Sequence, residues 1–335
     1  MRVSLRDPAG GKRRQAPAEV FAPAREGYLQ LVAGRLVIGT SSWADPGFVE
    51  EWYPKGLPSD ERLPWYAERF EAVELNASFY AVPARESAAR WAAVTPEGFS
   101  FDVKLHRLLS HHAAPPESLP RELRDGVDVT PRGRAVVTDD LQRALIGALL
   151  DAVEPLAEAG KLSSFLLQLS PAFEPRRHEL AELDVVLAAL APHRVAVELR
   201  HRAWTRADRL EDTLAYLERW NAAWVSVDTP AGEQVTIMPP IDAVTSRDLA
   251  YMRLHGRNAP GYVKGRTVPE RFAWSYTDDE LCEIARRAQA LAEGVPEVRI
   301  MANNNRGADA PRAARRLREL LGQVDPTDEQ LRLAG

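Results

Sequence analysis

Val73-Glu74-Leu75-Asn76-Ala77-Ser78 puts its apolar residues on one parity and its polar residues on the other. Successive side chains of a strand leave on opposite faces. Read as a strand, the stretch has one apolar face and one face bearing a carboxylate and an amide. The same alternation returns in Phe101-Asp102-Val103-Lys104-Leu105-His106, in Val197-Glu198-Leu199-Arg200, in Val225-Ser226-Val227-Asp228 and in Met252-Arg253-Leu254-His255. In a single sheet these polar faces converge, and function is expected where they meet.

Working outward, eight stretches read as strands: Leu36–Ser42, Ala72–Tyr80, Ser100–His106, Ser163–Ser170, Val195–His201, Ala222–Thr229, Ala250–Arg257 and Glu297–Asn304. Helical patterns fall between them. Leu210, Leu214 and Leu217 recur at helical spacing, as do Leu281, Ile284, Ala285 and Ala288, and in the last helix Ala310, Ala313, Ala314, Leu317 and Leu321. Thr277 with Glu280 forms a capping box, and Asp309 with Pro311 marks a helix entry. Alternating strand and helix implies parallel strands with right-handed crossovers. Eight such units favour a closed (β/α)₈ TIM barrel. The competitor is an open doubly wound sheet, whose strands would be apolar on both faces. We expect a polar N-terminal extension over residues 1–34, read as a flexible arm, a single barrel domain over 35–325, and a C-terminal tail over 326–335. The stretch 107–138, with its His111-His112 pair, is an inserted loop after the third strand, acting as lid or wall at the mouth or as a surface insertion without a role.

The chain has 335 residues, 45% apolar and 27% charged, enough to bury a large core. No apolar run approaches the roughly 18 residues a membrane helix needs, and the first residues lack the apolar core of a secretory signal. The one cysteine, Cys282, lies within a helical pattern and excludes an internal disulfide framework. A net charge of −5 argues against general attraction to nucleic acid while leaving room for a local basic patch. A cytoplasmic protein with no membrane association is expected.

Barrel enzymes build their sites at the C-terminal ends of the strands. By parity, Glu74, Asn76, Asp102, Lys104, Gln168, Glu198, Arg200, Asp228, Arg253 and His255 point inward there. A ring of buried salt bridges is the structural reading; a catalytic or anion-binding cavity is the functional one. On the functional reading Glu198 and Asp228 are bases or metal ligands and His255 an acid or base. Lys104, Arg200 and Arg253 grip carboxylate or phosphate. Asn76, Tyr80, His106, Gln168, Trp204, Arg257, Asn303 and Asn305 complete the substrate-binding set, with Tyr80, Trp204 and Trp43 placed to stack a ring or to pack the rim. The loops His255-Gly256-Arg257-Asn258 and Asn305-Arg306-Gly307-Ala308-Asp309 sit where many barrels hold phosphate. His106, Glu198, Asp228 and His255 offer an oxygen and nitrogen set for a divalent metal, without a spaced ligand motif. There is no Gly-x-Gly-x-x-Gly, P-loop, Gly-x-Ser-x-Gly elbow or kinase signature.

Several of these segments together resemble the YecE-like family, an uncharacterised group known as a domain of unknown function. The matching stretches are Ile38-Gly39-Thr40-Ser41-Ser42-Trp43, Val73-Glu74-Leu75-Asn76 through Phe79-Tyr80, Phe99 to Lys104, Leu166 to Pro171, Val197-Glu198-Leu199-Arg200-His201 through Trp204, Tyr251 to Arg257, and Asn303-Asn304-Asn305. They run in order from Arg35 to Leu321. The resemblance implies a (β/α)₈ barrel similar in architecture to metal-dependent barrel nucleases and sugar isomerases. It supplies no established activity. This chain departs from the pattern in Ala313, where relatives often carry Asn, in the length of 107–138, and in the N-terminal arm.

Two functions follow as expectations. One is an enzyme of hydrolase or isomerase type acting on a phosphorylated or otherwise anionic small molecule. The other is a non-catalytic module binding nucleic acid or a metabolite. A glycosidase using Glu74 and Glu198 ranks lower, because strands four and seven end in Gln168 and His255 rather than carboxylates.

Overall fold

The alternating stretches are strands, and they close on themselves. The computed structural model describes residues 33–304 and 306–324. Its strands are β1 (Arg35–Thr40), β2 (Ala72–Leu75), β3 (Ser100–Lys104), β4 (Leu162–Gln168), β5 (Val195–Glu198), β6 (Ala223–Asp228), β7 (Ala250–Leu254) and β8 (Glu297–Ala302). They form a closed parallel barrel in sequence order. β8 returns to β1 along all six residues of each, from Arg35 beside Glu297 to Thr40 beside Ala302. The (β/α)₈ expectation holds, and the open sheet is excluded.

The helices are α1 (Pro46–Glu51), α2 (Arg62–Ala67), α3 (Arg85–Val94), α4 (Asp139–Glu158), α5 (Asp184–Leu190), α6 (Leu210–Arg219), α7 (Ala259–Lys264), α8 (Val268–Phe272), α9 (Asp278–Ala292) and α10 (Asp309–Leu320). α9 begins at the expected capping box, Thr277 and Glu280 each bonding the other's backbone N–H. It buries Leu281, Ile284, Ala285 and Ala288, the stripe its spacing foretold. α10 buries Ala310, Ala313, Ala314 and Leu317. One crossover departs from the scheme: no helix joins β6 to β7. Its Thr229-Pro230 and Pro239-Pro240 pairs cannot continue a helical hydrogen-bond ladder. The segment instead folds irregularly and buries Ile237 and Met238.

The strands stop short of the polar residues that were expected to extend them. Asn76 leads into a 3₁₀ turn at Ala77–Phe79. His106 caps the turn Arg107–Ser110 by accepting from the Leu108 N–H. His201 caps Arg202–Thr205 by accepting from Ala203. Side-chain acceptors of this kind compete with the strand ladder and end it. The stretch 107–138 holds three short 3₁₀ turns, all before Arg124, followed by a lone bridge between Val129 and Ala135. Its first half buries Leu108, Leu109, Ala114 and Leu119 against the body, while residues 121–138 are largely exposed apart from Ala135. Residues 1–32 and 325–335, which carry most of the proposed extension and the tail, lie outside the described residues.

Candidate functional site

Inside the barrel the polar faces meet in two layers. In the lower one Arg299 of β8 donates from Nε to Asp102 Oδ2 at 2.7 Å, and Ser164 donates to Asp102 Oδ1 at 2.6 Å. In the upper one Arg253 of β7 grips Glu74 through two bonds, 2.6 and 3.0 Å, and reaches Glu198 Oε2 at 2.6 Å and Gln168 Oε1 at 2.7 Å. All five ionic groups are at most 1% exposed. Burial raises Glu74 and Asp102 above the usual carboxylate range despite their arginines. Burial works the same way on Glu198, yet Arg253, His255 and Arg200 together hold it well below that range.

Four of the five N–H groups of Arg253 are therefore engaged by Glu74, Gln168 and Glu198, in a side chain that is fully buried. Against the expectation that it grips substrate, its charge is already neutralised by two buried carboxylates and it lies out of reach beneath the rim. Glu198 is similarly committed, accepting from Arg253, from Arg200 at 2.9 Å and from His255 Nε2 at 3.0 Å. A carboxylate so stabilised is a weak base and an effective anchor. His255 donates to it because the other ring nitrogen, Nδ1, accepts from Asn303 Nδ2 at 2.9 Å. Asn303 Oδ1 in turn accepts from Ser41 Oγ at 2.5 Å, and Asn76 Nδ2 donates to the Ser41 carbonyl at 2.6 Å. Burial lowers His255 to about 4, outweighing the pull of Glu198. Neutral, buried and engaged at both nitrogens, His255 orients Glu198 and does not meet a ligand itself.

Above this floor the cations are less committed. Lys104, at the end of β3, lies beneath the Phe79 ring, Nζ 4.5 Å from its centroid. Among the described residues its ammonium has no hydrogen-bond acceptor. Burial, then the charge of Arg253, lowers it to about 8. Arg107 lies 5.8 Å from the same ring, its Nε buried without a partner. The His112 ring packs edge-on against Phe79, centroids 5.0 Å apart. Burial, then Lys104, Arg107 and Arg200, bring His112 down to about 4. Tyr262 of α7 adds a buried hydroxyl without a partner, in the field of Arg200 and Glu198. This rim is positive, aromatic and short of acceptors.

Asp228 is the largest misplacement. Along β6 and β7, Val227 sits beside Arg253 and Asp228 beside Leu254. Neighbours in parallel register share a face, so Val227 points inward and Asp228 points toward the helices. There it meets Arg257 at 2.7 Å, Arg287 of α9 at 3.3 Å and the Tyr276 hydroxyl at 2.7 Å. It is neither the expected base nor a barrel ligand, and Arg257 is spent on it and on Glu283. His106 is fully buried in its capping role, lowered by burial to about 4. Trp204 is buried, donates to the Phe173 carbonyl and stacks on Phe173, so it packs the rim. Tyr80 is 62% exposed at the edge. Asn305 lies outside the described residues. Among those residues His106, Glu198, Asp228 and His255 do not gather into a ligand set.

Asp102 points inward as parity foretold, but its partner Arg299, the rim roles of Arg107, Phe79 and Tyr262, and the inward turn of His112 escaped the sequence reading. Val298-Arg299-Ile300 carries the same alternation as β2 and could have revealed Arg299. The others follow strand ends, in turns where no periodicity reports direction.

The family model described as "Protein of unknown function DUF72" matches residues 37–332. UPF0759 protein YunF of Bacillus subtilis (strain 168) is 26% identical over 290 residues, covering 85% of this chain and 94% of its own. UPF0759 protein YecE of Escherichia coli (strain K12) is 31% identical over 180 residues, 53% of each chain. Among solved structures, a DUF72 family protein from Thermotoga maritima MSB8 superimposes with a TM-score of 0.69 at 25% identity, over 86% of this chain and 99% of that one. One from Enterococcus faecalis V583 gives 0.67 at 24%, over 86% and 98%. Among the described residues no helix is long and apolar enough to cross a membrane.

Proposed function

The chain belongs to the DUF72 family, and from that premise, which supplies a barrel and no activity, we propose that its mouth binds a phosphorylated or otherwise anionic small molecule and transfers a proton on it, in an isomerase- or hydrolase-type reaction. The carrying observation is the rim around Phe79. Lys104 and Arg107 stand there without an ion pair among the described residues, Lys104 feeling Glu74 and Glu198 only at a distance, beside Arg200, in a chain of net charge −5. Their combined field helps hold His112 neutral, and that field is what an incoming anion would neutralise. Arg200 keeps one contact to Glu198 and has further donors for an oxyanion. Lys104 is the proton-transfer group, since an amine near 8 exchanges protons close to neutral pH. Glu198, His255 and Asn303 hold the floor rigid beneath it.

The test is titration of the purified protein with inorganic phosphate and small phosphorylated and carboxylated compounds, followed by thermal shift and calorimetry. Wild type should bind, and Arg200→Ala should lose about tenfold or more in affinity, as expected for a charge-assisted contact. Lys104→Arg keeps the charge and removes the base. It should retain binding and abolish turnover, while the wild-type rate rises through about pH 8. Unchanged anion affinity in both Arg200→Ala and Lys104→Met would end this reading. Tight binding of single-stranded nucleic acid with a steep salt dependence, and no turnover, would favour a binding module in its place.

A further inference from the structure

Two consecutive histidines part company just after β3. His112 turns into the mouth against Phe79. His111 turns away from it. The backbone at His111 makes the turn, with φ 58° and ψ 25°, a left-handed conformation that few L-residues adopt. The result brings its imidazole to the segment that follows β4. Its ring centroid lies 4.6 Å from Phe173 and 5.2 Å from His178. There His178 and Glu182 already touch, Nδ1 to Oε2 at 2.9 Å. His111 Nδ1 stops 3.8 Å from the same carboxylate oxygen, too far for a hydrogen bond. Its Nε2 is buried without a partner among the described residues. With its side chain only 18% exposed, His111 has neither nitrogen satisfied. Such a group is costly to bury unless something else binds it.

A divalent cation on Nδ1 would satisfy one of the two His111 nitrogens and bridge the open 3.8 Å approach to Glu182. The three candidate ligand atoms all lie within 4.8 Å of one another. Zinc bonds of about 2.1 Å at tetrahedral angles place ligand atoms about 3.4 Å apart. The two separations to Glu182, 2.9 and 3.8 Å, bracket that value, and the two imidazole nitrogens lie within 4.8 Å of each other, so side-chain adjustments of about 1 Å would close the site. Two imidazoles and one carboxylate suit zinc-like metals better than calcium or magnesium, which prefer all-oxygen sets. Phe173 stacks on His178 and packs against His111, limiting how far either ring can swing.

We infer that His111, His178 and Glu182 form a binding site for a zinc-like divalent metal, stapling the loop after β3 to the segment after β4 at the barrel rim. Three protein ligands leave a fourth position for water or a ligand group. The site is independent of the anion-binding mouth: none of its ligands belongs to that rim, and either proposal stands without the other.

The experiment uses the full chain carrying Cys282→Ser, which removes the one thiol. After chelator treatment, zinc is titrated by calorimetry, and cobalt is added to read visible ligand-field bands. One zinc per chain, a higher melting temperature with zinc, and cobalt bands of tetrahedral intensity are expected. His178→Ala and His111→Ala should each weaken zinc binding by tenfold or more. If either variant folds poorly, Glu182→Gln at a 39% exposed side chain serves instead, with its metal-free melting curve matching wild type. A parent chain that takes up no zinc, or variants that bind it as tightly as the parent, would overturn the site.

Discussion

Arg253 shows how one residue can look like a ligand-binding group and be a structural one. Its guanidinium is divided between Glu74 and Glu198, and all three side chains are at most 1% exposed. Removing one member of such a group strands the others' charges in low dielectric, at about 3–5 kcal/mol. Arg253→Ala should therefore show its main effect in urea unfolding, with a loss of that size. A folded variant of near wild-type stability would mean the two carboxylates are not held as described. His255 makes a complementary case through pH. It faces Glu198, Arg200 and Arg253, with Asn303 on its other nitrogen, and its folded value is about 4 against about 6.5 unfolded. A depressed folded pKa means the unfolded chain binds the extra proton. Stability is then fully present above about pH 6.5 and falls as pH drops toward 4, by about 1.4 kcal/mol per unit for one proton. Burial lowers His106 and His112 similarly, steepening the fall, while the raised carboxyls Glu74 and Asp102 take up protons in the folded state and soften it. His255→Gln should reduce the slope between pH 6.5 and 4 by close to one proton, read from denaturation across pH. An unchanged slope would show that His255 is not the buried neutral group proposed. Both residues were visible in the sequence, because parity on β7 is one-sided. So were the inward-facing Glu74, Gln168 and Glu198, the carboxylates read within one ring of buried salt bridges; which cation takes which carboxylate depends on register across the barrel, and was not legible.

At the scale of the strand, β6 shows where alternation stops being informative. Val225-Ser226-Val227-Asp228 has the same pattern as β2 and β7, yet its polar parity faces outward. Every residue of β6 is buried, as in β2 and β7, so burial alone does not say which parity is inner. What decides it is the neighbour: Arg287, from the helix packed outside, offers Asp228 a charge partner on that face. The expected effect of Asp228→Asn follows from this placement. It would cut the ties to Arg257 and Arg287, costing about 1–3 kcal/mol in denaturant unfolding. Anion affinity at the mouth should stay within about twofold of wild type. A large loss of ligand binding without loss of stability would return Asp228 to the site. The strand ends teach a related lesson. Asn76, His106 and His201 kept the polar alternation going on paper, but each enters or caps a 3₁₀ turn. Turns re-aim side chains, which is why Arg107 and His112 reached the rim unannounced.

For the whole molecule, the question is why a barrel interior should be ionic when branched apolar side chains fill most such interiors. Here the two layers carry nearly balanced charge: Asp102 with Arg299 below, Glu74 and Glu198 with Arg253 above, and Lys104 opening toward the rim. The balance matters more than the charge itself. Desolvation of each ion is offset only while its partner is present, so the pair behaves as a unit. Asp102→Leu alone would leave Arg299 buried with only the exposed-side Glu297 and Ser100 for company, and should cost about 3–5 kcal/mol. Arg299→Met alone should cost about the same, by stranding Asp102. The double variant replaces both charges with apolar volume and should be much less damaging than the two single losses added together. The lower layer is the right place for this cycle because its residues touch none of the rim groups. Anion binding should then survive in the double variant while stability reports the coupling. Additive single and double effects would mean that Asp102 and Arg299 contribute separately, and that the ionic filling of this barrel is not organised as pairs.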